Sequence, residues 1–217
     1  MPAAIGAIGL VIAFAGGIFA LQSTTVANAL FLYATAPFFA AILGWVFLRE
    51  PVRMATWIAI VFASLGMVIM LWDGLAVGEL AGNAAAVLSA IGFAVFTISL
   101  RWGKLEEMLP TVFLAGVFTF FASLMMCKLL NQPIILSRWD TAVSMVMGVF
   151  QLGLGLSIYT FGSKVVPAAK LALLSMTEVL LGPIWVWIFI GELAGVWTFA
   201  GGTILMAAIA GNALSGI

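Results

Sequence analysis

Residues 1–48 read MPAAIGAIGLVIAFAGGIFALQSTTVANALFLYATAPFFAAILGWVFL, and none of those 48 side chains is charged. A helix needs about 20 apolar residues to cross roughly 30 Å of hydrocarbon, so the run is too long for one span and fits two. The polar patch Gln22-Ser23-Thr24-Thr25 divides it. Working outward, further breaks fall at Arg49–Arg53, Asp73–Glu79, Arg101–Glu107, Asn131–Asp140, Ser163–Pro167 and Gly191–Gly195. They predict eight transmembrane helices near 3–21, 27–48, 54–72, 80–100, 110–130, 141–163, 169–190 and 194–214. The composition agrees, with 65% hydrophobic and 7% charged residues over 217 positions, against an ordinary ~45–50% and ~25%. Barrel strands would alternate apolar and polar side chains over ~10 residues. These runs do not alternate, so the expected fold is all-α and integral to a membrane.

Composition also removes several kinds of chemistry. Without histidine there is no Ser-His triad and no His-ligated metal or haem, and a single cysteine, Cys127, forms no intrachain disulfide. No GxxxxGK[ST] loop is present. No enzyme, cofactor or metal site is therefore expected, and eight basic against eight acidic residues offer nothing to nucleic acid. Orientation follows the basic residues. Arg49, Arg53, Arg101, Lys104, Lys164 and Lys170 lie on one side and only Lys128 and Arg138 on the other, which predicts cytoplasmic termini. Seven of the eight tryptophans (45, 57, 72, 102, 139, 187, 197) fall near span ends, as an interfacial belt requires.

The sequence also repeats itself. Trp45-Val-Phe47-Leu-Arg-Glu50 returns 142 residues later as Trp187-Ile-Phe189-Ile-Gly-Glu192. In that register 27–56 and 169–198 share eight identities in 30 positions, among them Thr35/Thr177 and Thr56/Thr198. Five spans separate the copies, and an odd number turns the second upside down. Inverted repeats are characteristic of secondary transporters, whose substrate site lies near mid-membrane between the halves.

Among the charged residues, only Glu178 falls near the middle of a span. A carboxylate there costs roughly 2.5–3.5 kcal/mol or more and marks function by default, as a proton carrier or a binder of a cationic group. Lys170, eight residues earlier, lies about 12 Å away along a helix and snorkels instead. Pro37 and Pro183 each remove a helical hydrogen bond and free the carbonyl four residues before, at Tyr33 and Val179. Such backbone must be buried in protein or line a watery space, so Tyr33, Thr35, Glu178 and Val179 are expected around one. Gln151 and Tyr159, two turns apart in the sixth span, and Trp185, the tryptophan deepest in a span, complete the candidate substrate-binding set. Glu50 and Glu192 are expected to cap the helices that follow them. Gly78-Glu-Leu-Ala-Gly82 and Gly191-Glu-Leu-Ala-Gly195 fit GxxxG, but at membrane edges and outside the 142-residue register, and are read as coincidence.

The stretch Thr24-Thr25-Val-Ala-Asn-Ala, Pro37 and Trp45-Val-Phe-Leu-Arg-Glu50 resembles the first EamA repeat of the drug/metabolite transporter superfamily. Thr177-Glu178-Val, Gly182-Pro183, Gly191-Glu192 and Gly201 resemble the matching part of the second, with Val179 where the family often has proline after the glutamate. The resemblance implies a ten-helix inner-membrane carrier of two inverted five-helix repeats, exporting metabolites, amino acids or drugs. Here 79–214 supplies five spans and 1–72 only three, an incomplete pair. Either the chain as given starts inside a longer carrier or it is an eight-helix form. The expected function is secondary transport of a small organic solute across the cell membrane by alternating access, with a proton or other ion open as coupling species. A non-transporting membrane subunit or an inactive fragment is the alternative.

Overall fold

The computed structural model describes residues 2–77, 79–102, 109–129, 137–155, 158, 181–191, 193 and 195–215. Helices account for nearly all of them, and no strand occurs among them. In chain order they are α1 (Pro2–Ser23), α2 (Val26–Tyr33), α3 (Ala36–Leu48), α4 (Met54–Val77), α5 (Leu80–Trp102), α6 (Leu109–Leu129) and α7 (Arg138–Val146). The last runs on as a wider π-helix over Met147–Leu154. Then come α8 (Leu181–Ile190) and α9 (Val196–Leu214). Among the described residues, five helical stretches are long and apolar enough to cross a membrane, counting Val26–Leu48 as one. The starts at Leu80, Leu109 and Val196 fall within two residues of expectation. The span expected at 169–190 is described only from Leu181.

The span expected at 27–48 is interrupted at Ala34-Thr35. Thr25 caps α2, its hydroxyl accepting from the Asn28 amide at 3.3 Å. Pro37, in the first turn of α3, has no N–H to offer the Tyr33 carbonyl. The chain therefore tightens, Thr35 N–H bonding Leu32 at 3.1 Å, before Phe38 and Phe39 restart a helix on the Thr35 carbonyl. The Thr35 hydroxyl, fully buried, also donates to Leu32 O at 2.5 Å. One proline thus makes two helices of one span.

Between membrane helices the hydrophobic effect contributes little, so close packing of small residues must hold them together. α1 lies against α5, where a Cβ on Gly9 would stand 2.7 Å from the Gly92 carbonyl oxygen and one on Gly92 2.6 Å from that of Gly9. α4 and α9 meet alike, a Cβ on Gly66 or Gly201 lying 2.5 Å from the other's carbonyl oxygen. They run antiparallel. Thr56 Oγ1 donates to Asn212 Oδ1 at 2.8 Å, and the Arg53 guanidinium donates to the Ser215 carbonyl at the same end. Phe31, Leu32, Met70, Leu205 and Ile209 fill the core beside this crossing, and Leu10, Phe96 and Ala115 a second one around α1.

Glu50 does not cap α4. Arg49 takes the left-handed conformation (φ 54°) and closes α3, and the Glu50 N–H folds back onto the Gly44 carbonyl at 3.2 Å. That return sets the Glu50 carboxylate beside the end of α5, where it pairs with Arg101 at 2.9 Å. Glu192, expected in the same role, lies outside the described residues.

Gly66→Ala must force α4 and α9 apart and should lower stability by about 1–3 kcal/mol. Gly116→Ala, in α6, meets open space and should be neutral or stabilise by up to about 1 kcal/mol. Reversible unfolding of both variants in detergent micelles measures the contrast.

Candidate functional site

In hydrocarbon an unpaired polar group costs several kcal/mol, so polar side chains within these helices must find partners. They do so most densely at the bundle end opposite Arg53 and Arg101, around the turn from α1 to α2. A Cβ on Gly82 would lie 2.5 Å from the Ser23 carbonyl carbon and oxygen. Glycine there lets the first turn of α5 rest directly on that turn, which sets Asn83 against Thr24. The Thr24 hydroxyl oxygen lies 2.6 Å from Asn83 Oδ1 and 2.8 Å from Glu79 Oε2. Asn28 Nδ2 approaches the same oxygen at 3.4 Å, while Asn28 Oδ1 accepts from Thr198 Oγ1 at 2.9 Å. The α1–α2 turn, α2, α5 and α9 thus share one network. Asn28, Asn83 and Thr198 are buried, and Asn83 Nδ2 has no hydrogen-bond partner among the described residues.

Deeper along α1, the Tyr33 hydroxyl donates to the Gly17 carbonyl at 2.6 Å and Ser89 Oγ to that of Ala13 at 2.6 Å. Gly16 and Gly17 make this approach possible: a Cβ on Gly16 would meet the Ala85 carbonyl at 3.0 Å, and one on Gly17 would meet Ser89 Oγ at 3.3 Å. From Thr24 to Ala13 is eleven residues, so the polar seam descends roughly 16 Å, about half the hydrocarbon thickness. Chemically it is a ladder of neutral hydrogen-bonding groups with one carboxylate at its mouth. A groove of about 410 Å³ on α6, lined by Phe113, Gly116, Val117, Phe120 and Phe121, has no polar side chain to orient a solute. No group of metal-ligating residues occurs among the described residues.

Of the residues expected to bind substrate, Tyr33 and Thr35 come together at the α2–α3 break. Tyr33 joins the seam, and Thr35 bonds its own helix. Gln151 lies exposed on the π-helix. Trp185, 52% exposed, stacks on Phe189 at 5.7 Å along α8. Glu178 and Tyr159 lie outside the described residues. The expectation missed Asn28, Glu79, Asn83 and Thr198. The available signal was the carboxamides themselves, one in the first turn of each of two membrane helices (α2 and α5), each requiring a buried partner. Gly82, set aside as coincidence, is the contact that seats them.

Long apolar helices and a buried polar seam define a multi-pass membrane protein. Residues 1–72 match the family model of the EamA-like transporter family, in agreement with the resemblance read from Thr24 to Glu50. A solved structure described only as the crystal structure of a protein has the same fold. It is 21% identical, with a TM-score of 0.56 over 98% of this chain and 75% of that one. A comparison with curated proteins finds no match.

If the Asn28–Thr198 bond holds α2 to α9, Asn28→Ala and Thr198→Val should not act additively. A double-mutant cycle in detergent should give a coupling of about 0.6 kcal/mol, the average for such bonds between membrane helices, and no more than about 1.7. Additive losses would mean that the bond contributes nothing.

Proposed function

We propose that the protein is a secondary transporter that moves a small organic solute across the cell membrane by alternating access, with both termini in the cytoplasm. The observation that carries this reading is the match of 1–72 to the EamA-like transporter family, joined to a polar seam that α1 and α2 of that stretch share with α5 and α9. A polar solute entering an apolar layer needs hydrogen-bonding groups to replace water. The seam offers them on α1, α2 and α5, beside a proline break that already weakens the backbone ladder. In this reading 1–72 is a partial first repeat and 79–214 a complete second one, related by inversion. The 142-residue register equates α4 with α9, and these two helices run antiparallel, which supports that relation.

Tyr33 and Thr35 then contribute to the substrate site from the first repeat, and Glu178, Gln151, Tyr159 and Trp185 from the second. Glu178, the mid-span carboxylate, carries the coupling proton or pairs with a cationic group of the solute. Flux in proteoliposomes, over a panel of amino acids, small metabolites and cationic drugs, tests the reading. Glu178→Gln should reduce flux about tenfold or more, equivalent to ~1.4 kcal/mol, and Glu50→Gln should leave it near wild type. Full flux in Glu178→Gln removes that residue from the mechanism. Absence of flux for every solute from the folded chain favours a non-transporting subunit.

A further inference from the structure

The network around Thr24 contains a contradiction of proton count, and its resolution exposes a binding site. A threonine hydroxyl has one proton to donate, and a carboxylate only accepts. The Thr24 hydroxyl nevertheless lies within donating distance of two acceptors, Glu79 Oε2 at 2.8 Å and Asn83 Oδ1 at 2.6 Å. The two ends of a carboxamide have nearly the same shape, so the surrounding network decides which way it faces. Turned about, Asn83 presents N–H to Thr24 Oγ1, and Thr24 donates its proton to Glu79. Both contacts are then satisfied. The buried position without a partner, occupied by Asn83 Nδ2 before the turn, now holds a carbonyl oxygen. Asn83 is 0% exposed, so this is an orphan acceptor shut away from water, and close by stands a carboxylate with no ion-pair partner among the described residues.

An orphan acceptor beside an unpaired carboxylate asks for a donor that is also positively charged. We propose that Glu79, Asn83 and Thr24 form a binding site for the ammonium group of a solute, with Glu79 supplying the charge and Asn83 Oδ1 a directed hydrogen bond. A primary ammonium has three N–H donors and satisfies both groups at once. Asn83 meets Thr24 where the α1–α2 turn rests on Gly82. The unpaired carbonyl makes the empty site costly, a cost that the arriving donor removes. The site sits at the mouth of the seam leading to Tyr33. The proposal therefore narrows the cargo to amine-bearing solutes, and it rests on the transport reading for the claim that the ligand is cargo.

The test uses the full chain in lipid nanodiscs, with thermal unfolding followed by tryptophan fluorescence during titration with propylammonium chloride. Tetramethylammonium chloride, charged but without N–H, and sodium chloride at equal ionic strength are the controls. A ligand that binds the folded state raises the midpoint as it saturates. Propylammonium should do so and the two controls should not. Glu79→Gln, at a partly exposed position where folding is preserved, should raise the half-saturating concentration about tenfold or more (~1.4 kcal/mol). Asn83→Ala should have a similar effect if it folds, and Glu79→Gln decides the matter if it does not. No response to propylammonium, an equal response to tetramethylammonium, or an unchanged response in Glu79→Gln overturns the site. Solute flux on the same preparations separates the two proposals. Binding without any flux sinks the transport reading and leaves the site standing, whereas flux without binding sinks the site alone.

Discussion

In a bilayer core no water is present to take a hydrogen bond that the protein fails to make, and this constraint orders nearly everything in the structure. It forces the backbone into helices, which satisfy themselves. Where Pro37 leaves the ladder one donor short, the Thr35 amide and hydroxyl both turn to the Leu32 carbonyl. Thr97, Ser99 and Thr119 donate to carbonyls of their own helices in the same way, at 2.7–2.9 Å, and need nothing from a neighbour. Asn28, Asn83 and Ser89 are different. A carboxamide has more donors and acceptors than one helical turn can serve, so Asn28 must reach α9, and Ser89 reaches across to α1. Those obligations fix which helices lie together.

Polar bonds specify neighbours, but attraction must come from contact, because lipid tails are as apolar as leucine. The reciprocal glycine pairs Gly9/Gly92 and Gly66/Gly201 bring backbones together at two crossings. Gly82 does the same where a helix start meets a turn. The Gly82 contact also serves the polar network. If Gly82 carried a side chain, α5 would stand off from Ser23, and Asn83 would lose Thr24. Exposed Phe47, Trp72, Phe113 and Val196 cover the outside of the bundle, where in a bilayer their burial is against lipid.

The fold was legible in the sequence because span length and apolarity are local. The uncharged run of 1–48 and the clusters at Arg49–Arg53 and Arg101–Glu107 set helix ends to within a few residues. Pro37 announced the α2–α3 break, though not that Thr35 would spend its hydroxyl there. The site was less legible, because its geometry depends on pairs far apart in the chain: Thr24 with Glu79, Asn28 with Thr198. No periodicity marks such a pair. Glu50 was misjudged for a related reason. Its capping role assumed a helix start directly after it, whereas the left-handed turn at Arg49 carried the carboxylate to Arg101 on α5. The GxxxG spacing at Gly78–Gly82, read as coincidence, says nothing of Gly82's contact with Ser23, which no motif marks.

The distribution of charge connects fold to function. In the described part of the bundle the Glu50–Arg101 pair closes one end with opposite charges in contact. The other end has Glu79 without a counter-charge among the described residues, above a seam of neutral groups. Glu79 accepts from the Thr24 hydroxyl at the N-terminal end of α5, where the helix dipole favours a carboxylate, and its negative charge is left for the cation proposed above. The neutral hydrogen-bonding groups below Glu79, Ser89 and Tyr33 among them, can solvate a cation without holding it, as a transport path requires.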